Sequence, residues 1–108
     1  MMKGFSAIIP AYNEETGIAE VISELTAVLS KIDITFEIIV VNDGSTDRTG
    51  EILKDLDVIL LDHPANRGYG ASLKDGIKEA QYDNILILDA DGTYPQDAIP
   101  ALIAEADR

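Results

Sequence analysis

The sequence predicts an α/β fold of three layers (α/β/α), in which helices cover both faces of a mainly parallel sheet of about four strands. Short apolar segments alternate with segments of helical periodicity from one end of the chain to the other. The apolar segments show no polar face, which is typical of parallel strands that are buried on both sides. With 108 residues, of which 46% are hydrophobic, the chain is long enough for one domain with one core.

The first part of the chain predicts a strand, a helix and a second strand. Phe5–Ile9 is a short apolar run that stops at a proline, as expected of a buried strand. Asn13 or Thr16 is the expected cap of the following helix, and Phe36–Val41 is the expected second strand. The helix shows one apolar face, formed by Ile18, Val21, Ile22, Leu25, Val28 and Leu29.

The remaining elements continue the alternation. Residues His63–Gly68 are interpreted as a loop, in which His63 is given no special role. In chain order, the expected elements are a helix over about Arg48–Lys54, a strand over Val58–Leu61, a helix over about Tyr69–Ala80, a strand over Asn84–Leu88 and a helix over about Asp97–Ala106.

The composition limits the functions that fit this chain. Its formal net charge of −12 repels nucleic acid and anionic lipid, so broad electrostatic binding to either is not expected. The absence of cysteine excludes thiolate sites, and one histidine alone does not make a histidine-rich zinc site. A metal here is therefore expected to be a hard cation held by oxygen atoms, Mg²⁺ or Mn²⁺.

The apolar segments also predict a cellular location. None of them approaches the roughly 20 residues that a membrane-spanning helix needs. The N-terminal apolar run is too short for a signal peptide and is followed by a proline and acidic residues. We therefore expect a cytoplasmic chain without a membrane span.

Polar and glycine residues cluster directly after each predicted strand. In parallel α/β sheets, ligands bind at the carboxyl ends of the strands, so these loops should meet along one edge of the sheet, here called the rim. We expect them to form one site. The four segments are Pro10–Glu14, Asn42–Ser45, Asn66–Gly70 and Asp89–Gly92.

Asp89 and Asp91 are the candidate metal ligands. They flank one small residue where the fourth strand ends, and a turn at Gly92 would bring both carboxylates toward one cation. Such a cation would relieve their mutual repulsion and bridge to the oxygens of a diphosphate. The alternative is a strand end followed by an Asp-Gly turn, with both carboxylates solvated.

Four further residues, three in the rim and one on the helix that follows it, are candidates for ligand contacts. Asp43 is expected to accept hydrogen bonds from a base or ribose, and Tyr12 is expected to pack on a base. Arg67, in a glycine-flanked loop, would contact phosphate, and Lys74 is a second basic candidate on the next helix. The alternatives are a loop with a helix cap, an ordinary loop tyrosine, a solvated loop charge and a surface lysine.

Four segments of the chain match one known pattern in order and in spacing. They are IIPAYNE (Ile8–Glu14), VVNDGSTD (Val40–Asp47), NRGYGASLKDGI (Asn66–Ile77) and LDADGTYP (Leu88–Pro95). Together they resemble family 2 glycosyltransferases of the GT-A fold, over nearly the whole chain. The resemblance is closest to the dolichol- or polyprenyl-phosphate sugar transferases. It implies that residues 1–108 form one nucleotide-sugar-binding domain, the N-terminal, Rossmann-like half of a GT-A fold.

The resemblance implies roles for matching positions. Pro10, Tyr12 and Glu14 would line the nucleotide pocket, Asp43 would contact the base, and the acidic pair would be the family's DxD motif. Together with the candidates named above, the nucleotide-sugar site comprises Pro10, Tyr12, Glu14, Asp43, Arg67, Lys74 and Asp89, with Asp89 and Asp91 as metal ligands.

Three positions depart from the family pattern. Thr93 stands where the polyprenyl-phosphate group often has a glutamine that helps to hold the metal. Tyr69 replaces a lysine, which removes one possible phosphate contact. Lys74 replaces an arginine, which keeps the charge but loses bidentate geometry.

The resemblance also implies a second half, since family members continue well beyond this length. That half would supply the acceptor site, the catalytic base and any membrane anchor, and a full-length relative would lie at the cytoplasmic face of a membrane. The expected function of this chain is to bind a UDP or GDP sugar for transfer to an acceptor such as polyprenyl phosphate. Little or no transfer is expected from the chain alone.

Two other functions stay open at this point. A non-catalytic nucleotide-binding module would expose a sheet edge and form a homodimer through it. A phosphorylation-receiver domain has a similar length and alternation of elements, and Asp62, after the third strand, would be its phosphoacceptor.

Overall fold

The computed structural model describes residues 4–91, in which strands and helices alternate strictly along the chain. The predicted helix over Asp97–Ala106, together with Gly92 and Thr93, lies outside these residues. The elements are β1 (Gly4–Ala11), α1 (Ile18–Ser30), β2 (Thr35–Asp43), α2 (Thr49–Lys54), β3 (Ile59–His63), α3 (Tyr69–Glu79) and β4 (Asn84–Ile87).

The four strands are all parallel and lie in the order β3-β2-β1-β4. β1 is central: its full length pairs with β2, and Phe5 to Ile8 pairs with Asn84 to Ile87 of β4. Successive parallel strands need a crossover connection, and each of the three helices provides one. The predicted parallel α/β sheet of four strands is therefore confirmed.

Alternate residues of β1 face opposite layers of helices. Phe5 and Ile9 belong to a buried cluster that includes Leu25 of α1. Ile8, which points the other way, lies against Gly76 of α3, where an added Cβ would clash with it. Because successive strand residues point to opposite faces, the sheet is the middle of three layers, as the sequence predicts.

The core consists of both faces of β1 and β2 and the helix faces that cover them. Full burial of each large apolar side chain contributes roughly 1.5–3 kcal/mol. α1 buries the face that its spacing predicts, formed by Ile18, Val21, Ile22, Leu25 and Leu29.

Within residues 4–91, no helix is long and apolar enough to cross a membrane.

The strand order excludes a phosphorylation-receiver fold. In receiver domains and other flavodoxin-like folds, β1 lies between β2 and β3. Here β3 lies beyond β2, at the edge of the sheet, and β1 lies between β2 and β4. Asp62, the phosphoacceptor of that hypothesis, is inside β3 and accepts a hydrogen bond from Asn42 Nδ2 at 2.9 Å.

Pro10 does not end β1, contrary to the prediction from the sequence. The strand continues to Ala11, and Pro10 pairs with Val41 of β2. The carbonyl of Ile8 accepts a hydrogen bond from Leu88, so Pro10, two residues on, directs its nitrogen to the same side, beyond the end of β4 at Ile87. The missing N–H of proline therefore removes no hydrogen bond of the sheet.

Candidate functional site

The loops that follow β1 and β2 are held together by side chains at the rim. Asn13 has φ = 53°, a left-handed conformation that asparagine adopts more readily than most residues. Its side-chain oxygen accepts hydrogen bonds from the backbone N–H groups of Thr46 (2.8 Å) and Asp47 (3.3 Å). Its own N–H donates to Ser45 Oγ at 3.0 Å. The predicted capping of α1 is wrong, because Asn13 binds the next loop and the helix begins after Gly17 without a side-chain cap.

A second set of hydrogen bonds ties the same loops to the start of α2. Thr49 is fully buried, and its hydroxyl oxygen accepts a hydrogen bond from the N–H of Glu14 at 2.8 Å. Asp47 accepts hydrogen bonds from the N–H groups of Glu15 (3.2 Å) and Thr49 (2.9 Å). Burial raises the pKa of Asp47, but the hydrogen bonds from Thr49 and Glu15 outweigh it and the pKa lies below its ordinary value.

Asp43, the last residue of β2, is 5% exposed and its carboxylate accepts three hydrogen bonds. The donors are the N–H groups of Arg67 (2.8 Å) and Gly68 (3.0 Å) and Nδ1 of His63 (2.8 Å). Burial raises the pKa of Asp43, but these hydrogen bonds outweigh it and the pKa lies below its ordinary value. The carboxylate is therefore ionised at neutral pH and organises the loop after β3.

Gly44 lets that loop lie directly on the end of β2. It has φ = 71°, and an added Cβ would clash with the backbone of Ala65 and Asn66. Asn66 Nδ2 also donates to the carbonyl oxygen of Asp43 at 3.4 Å. A glycine is required here both by the left-handed backbone and by the close approach of the second loop.

His63 contacts the rim although its sequence context predicts no special role for it. It is not in a loop but is the last residue of β3, where the parallel register places it beside Asp43. It is 8% exposed, and its second ring nitrogen, Nε2, lies 2.7 Å from Asp75 Oδ2 of α3. The signal that would have found it is the register, because extending β3 by two polar residues brings His63 opposite Asp43.

A cleft of about 230 Å³ opens at the rim, on the side of the sheet that α3 covers. It brings together three of the predicted site residues, Pro10, Tyr12 and Asp43. Tyr12 is 45% exposed, and Tyr69, which replaces the family's lysine, is 55% exposed. The cleft is lined by Pro10, Ala11, Tyr12, Asp43, Asn66, Gly68, Tyr69 and Ser72.

The acidic pair follows β4 at the same edge of the sheet. Asp89 and Asp91 are both exposed, whereas Ala90 between them is buried. Burial raises the pKa of Glu14, and the nearby carboxylates of Asp91 and Asp47 raise it further. The predicted residues Glu14 and Asp91 therefore act on each other, although no three acidic or histidine residues within 4–91 are grouped so as to hold a metal by themselves.

Arg67 and Lys74 do not line the cleft. The guanidinium of Arg67 is half exposed and pairs with Asp75 Oδ2 at 3.2 Å, while its backbone N–H binds Asp43. Lys74 is exposed on α3. A phosphate contact by either side chain stays a prediction.

Comparison with known proteins identifies the family. A family model described as glycosyl transferase family 2 matches residues 6–108. The undecaprenyl-phosphate 4-deoxy-4-formamido-L-arabinose transferase of Salmonella dublin is 34% identical in an alignment of 112 positions, which covers 98% of this chain and 34% of the relative. The transferase of the same name from Aeromonas hydrophila is 33% identical in an alignment of 111 positions, which covers 97% of this chain and 34% of the relative. The chain thus spans 34% of the length of these relatives.

Solved structures show the same fold. TarS 1–349 of S. aureus in complex with UDP-GlcNAc superposes with a TM-score of 0.74 at 32% identity, covering 98% of this chain and 31% of the TarS 1–349 chain. The mannosyltransferase PcManGT from Pyrobaculum calidifontis, in complex with GDP-Man and Mn²⁺, gives a TM-score of 0.78 at 24% identity. The match covers 95% of this chain and 32% of the mannosyltransferase chain. The resemblance inferred from the four sequence segments is thereby confirmed, and the chain belongs to glycosyl transferase family 2.

Proposed function

We propose that this chain binds the nucleoside diphosphate of a sugar donor along the rim, with the base in the cleft beside Asp43 and the diphosphate beside Asp89 and Asp91. The observation that carries this proposal is the state of Asp43, a buried, ionised carboxylate held at the wall of a cleft. The TarS complex with UDP-GlcNAc supports it, since that protein is 32% identical to this chain.

The cleft has the chemistry to hold a nucleobase. A carboxylate has about four lone-pair positions, and three hydrogen bonds to Asp43 leave one for a ligand N–H. Uracil and guanine both present a ring N–H beside a carbonyl group. The half-exposed rings of Tyr12 and Tyr69 offer apolar faces for stacking against such a base.

The diphosphate end requires a cation. The chain carries a net charge of −12. Burial raises the pKa of Glu14, and the carboxylates of Asp91 and Asp47 lie close enough to raise it further. Mg²⁺ is commonly bound through one or two carboxylates, with substrate phosphates and water completing its shell, so the pair Asp89 and Asp91 fits such an ion without a third protein ligand. When bound, Mg²⁺ or Mn²⁺ would neutralise charge on the leaving diphosphate.

The relatives suggest the class of acceptor. Their names describe transfer to undecaprenyl phosphate, so we propose a polyprenyl phosphate as the acceptor of the complete reaction. No described residue is assigned as the base that would activate this acceptor. The activity proposed for the 108 residues themselves is donor binding, with little or no sugar transfer.

Calorimetry with UDP and GDP, with and without Mn²⁺, tests the proposal. We expect binding by the wild-type chain in the presence of the metal, and loss of that binding in Asp91→Ala. Asp33→Ala is the matched control, because Asp33 is an exposed aspartate directly before β2. It lies at the amino ends of the strands, opposite the rim. The variant should bind as the wild type does.

The possible results test the metal role and donor binding separately. Binding that needs no metal and is unchanged in Asp91→Ala contradicts the metal role but not the base site. Failure of the wild-type chain to bind either nucleotide, with metal present, contradicts donor binding by this chain.

A further inference from the structure

His63, the last residue of β3, contacts β2 and α3 beside the part of the cleft where the nucleobase is proposed to bind. It is the only histidine of the chain, and each of its ring nitrogens faces a carboxylate oxygen: Nδ1 lies 2.8 Å from Asp43 on β2 and Nε2 lies 2.7 Å from Asp75 on α3. A neutral imidazole has one N–H donor, whereas an imidazolium has two. Only the charged ring donates to both carboxylates, so the geometry calls for an imidazolium.

We propose that charged His63 is a positioning residue, which fixes the Asp43 carboxylate for the donor base and makes donor binding depend on pH. This inference rests on the proposed function, because it concerns the same cleft. His63 does not line the cleft itself and therefore acts through Asp43.

The hydrogen bonds around Asp43 show why its position depends on His63. Oδ1 of Asp43 accepts from both His63 and the N–H of Arg67, while Oδ2 accepts from the N–H of Gly68. The ring thus fixes the rotation of the carboxylate and the place of the loop that closes the cleft. If the ring loses a proton, one nitrogen lone pair faces a carboxylate oxygen, and one side of the bridge is lost.

The charged groups that face His63 come from each element around it. They are Asp43 from β2, Asp75 from α3 and Arg67 from the loop after β3, which pairs with the same oxygen of Asp75 at 3.2 Å. The hydrogen bond to Asp43 raises the pKa of His63, burial lowers it, the hydrogen bond to Asp75 raises it and the charge of Arg67 lowers it. The net direction is upward from 6.5.

The sign of the pH dependence follows from this direction. Below the raised pKa the ring is charged and Asp43 is held in place. As the pH rises through that pKa, the bridge is lost and nucleotide affinity falls. Coupling between linked sites in proteins is typically at least about fivefold, so we expect a loss of about fivefold or more.

The first experiment needs no nucleotide. NMR spectroscopy of the wild-type chain follows the imidazole signals, which need no assignment because there is one histidine. The amide signals of Arg67 and Gly68, which bind Asp43, should shift with the same midpoint, above 6.5. In Asp75→Asn, which removes one carboxylate partner, the midpoint should move down. Amide signals that stay unchanged while the ring titrates overturn the proposal, and so does a midpoint at or below 6.5.

The second experiment measures affinity for UDP and GDP with Mg²⁺ across the same pH range. The wild-type affinity should fall as the ring loses its proton, and His63→Gln, which carries no charge, should bind weakly at every pH. Arg48→Gln is the control: it removes one positive charge from an exposed pair with Glu51 and should leave the pH profile unchanged.

The outcomes distinguish this proposal from the donor proposal. A wild-type affinity that stays constant while the ring titrates overturns the role of His63 but leaves donor binding intact. If no variant binds nucleotide, donor binding fails, and the Arg67 and Gly68 amides alone decide whether His63 positions Asp43. Should His63→Gln not fold, Asp75→Asn takes its place in the affinity series, with the fall in affinity expected at lower pH.

Discussion

The two strand ends that carry the aspartates of the rim are constructed differently. At the end of β2, Asp43 is 5% exposed and is held by His63 and by the loop after β3. Beyond β4, a strand of four residues at the outer side of the sheet within residues 4–91, Asp89 and Asp91 are exposed. The base end of the proposed site is thus preorganised by the protein, whereas we expect a metal and a diphosphate to complete the other end.

The largest expected effect comes from Asp43→Ala. This change removes the acceptor of a charged ring and of two backbone N–H groups, so the free energy of unfolding should fall by about 3–5 kcal/mol. Urea denaturation at pH 6 measures it. In Asp89→Ala, at the exposed strand end, we expect about 0.5 kcal/mol or less. Equal losses in the two variants would contradict the difference between the two ends.

Gly44→Ala tests the contact between the loops after β2 and β3. The new Cβ meets the backbone of Ala65 and Asn66 at a positive φ, which we expect to cost about 2–3 kcal/mol in the free energy of unfolding. Gly17→Ala is the control, because no atom lies within 4 Å of its added Cβ and its φ is −124°. Thermal unfolding of both variants should show a clear loss only for Gly44→Ala.

Asn13 permits a finer test of the loops after β1 and β2. Asn13→Ala loses the hydrogen bonds to the 46–47 backbone and places alanine in a left-handed conformation, at a combined cost of about 1–2 kcal/mol. Asn13→Gly loses the same hydrogen bonds but accepts the backbone conformation, so its loss in chemical denaturation should be smaller. The reverse order would show that backbone conformation does not contribute here.

The smallest expected effect concerns Glu14, near Asp91 at the end of the rim where the diphosphate is proposed to bind. Because its pKa is raised in the folded chain, the free energy of unfolding should decrease slightly as the pH rises from about 4.5 through that pKa. Asp91→Asn removes one cause of the shift, and carboxyl carbon NMR should then show the pKa of Glu14 closer to its ordinary value. Asp33→Asn should leave the titration of Glu14 unchanged.

The fold was largely predictable because its signals are local in sequence. The apolar face of α1 and the short apolar strands predict which side chains are buried. The buried faces in turn determine how the helices pack on the sheet. The rim as a meeting place of four loops was predictable for the same reason, since the carboxyl ends of parallel strands share one edge. The carboxylate of Asp91 contributes to the raised pKa of Glu14, so these two residues lie near each other, while their contacts with a ligand stay predictions.

The errors lie where distant residues compete for a side chain. Asn13 was expected to cap α1, but Thr46, far along the chain, binds its side chain instead. His63 has no local pattern at all, because its role depends on the register of β3 against β2 and on Asp75 of α3. Such contacts are set by tertiary structure, and local spacing does not contain them.

The central place of β1 in the sheet also governs the order in which the chain assembles. Phe5 lies beside Phe36 of β2 and beside Asn84 of β4, so the second pairing closes a much longer stretch of chain. Long closures cost more entropy and slow folding. We therefore expect β4 to dock last and to bring the acidic pair to the rim in that final step. A nucleotide that spans both strand ends would favour the docked state and thereby couple ligand binding to the completion of the fold.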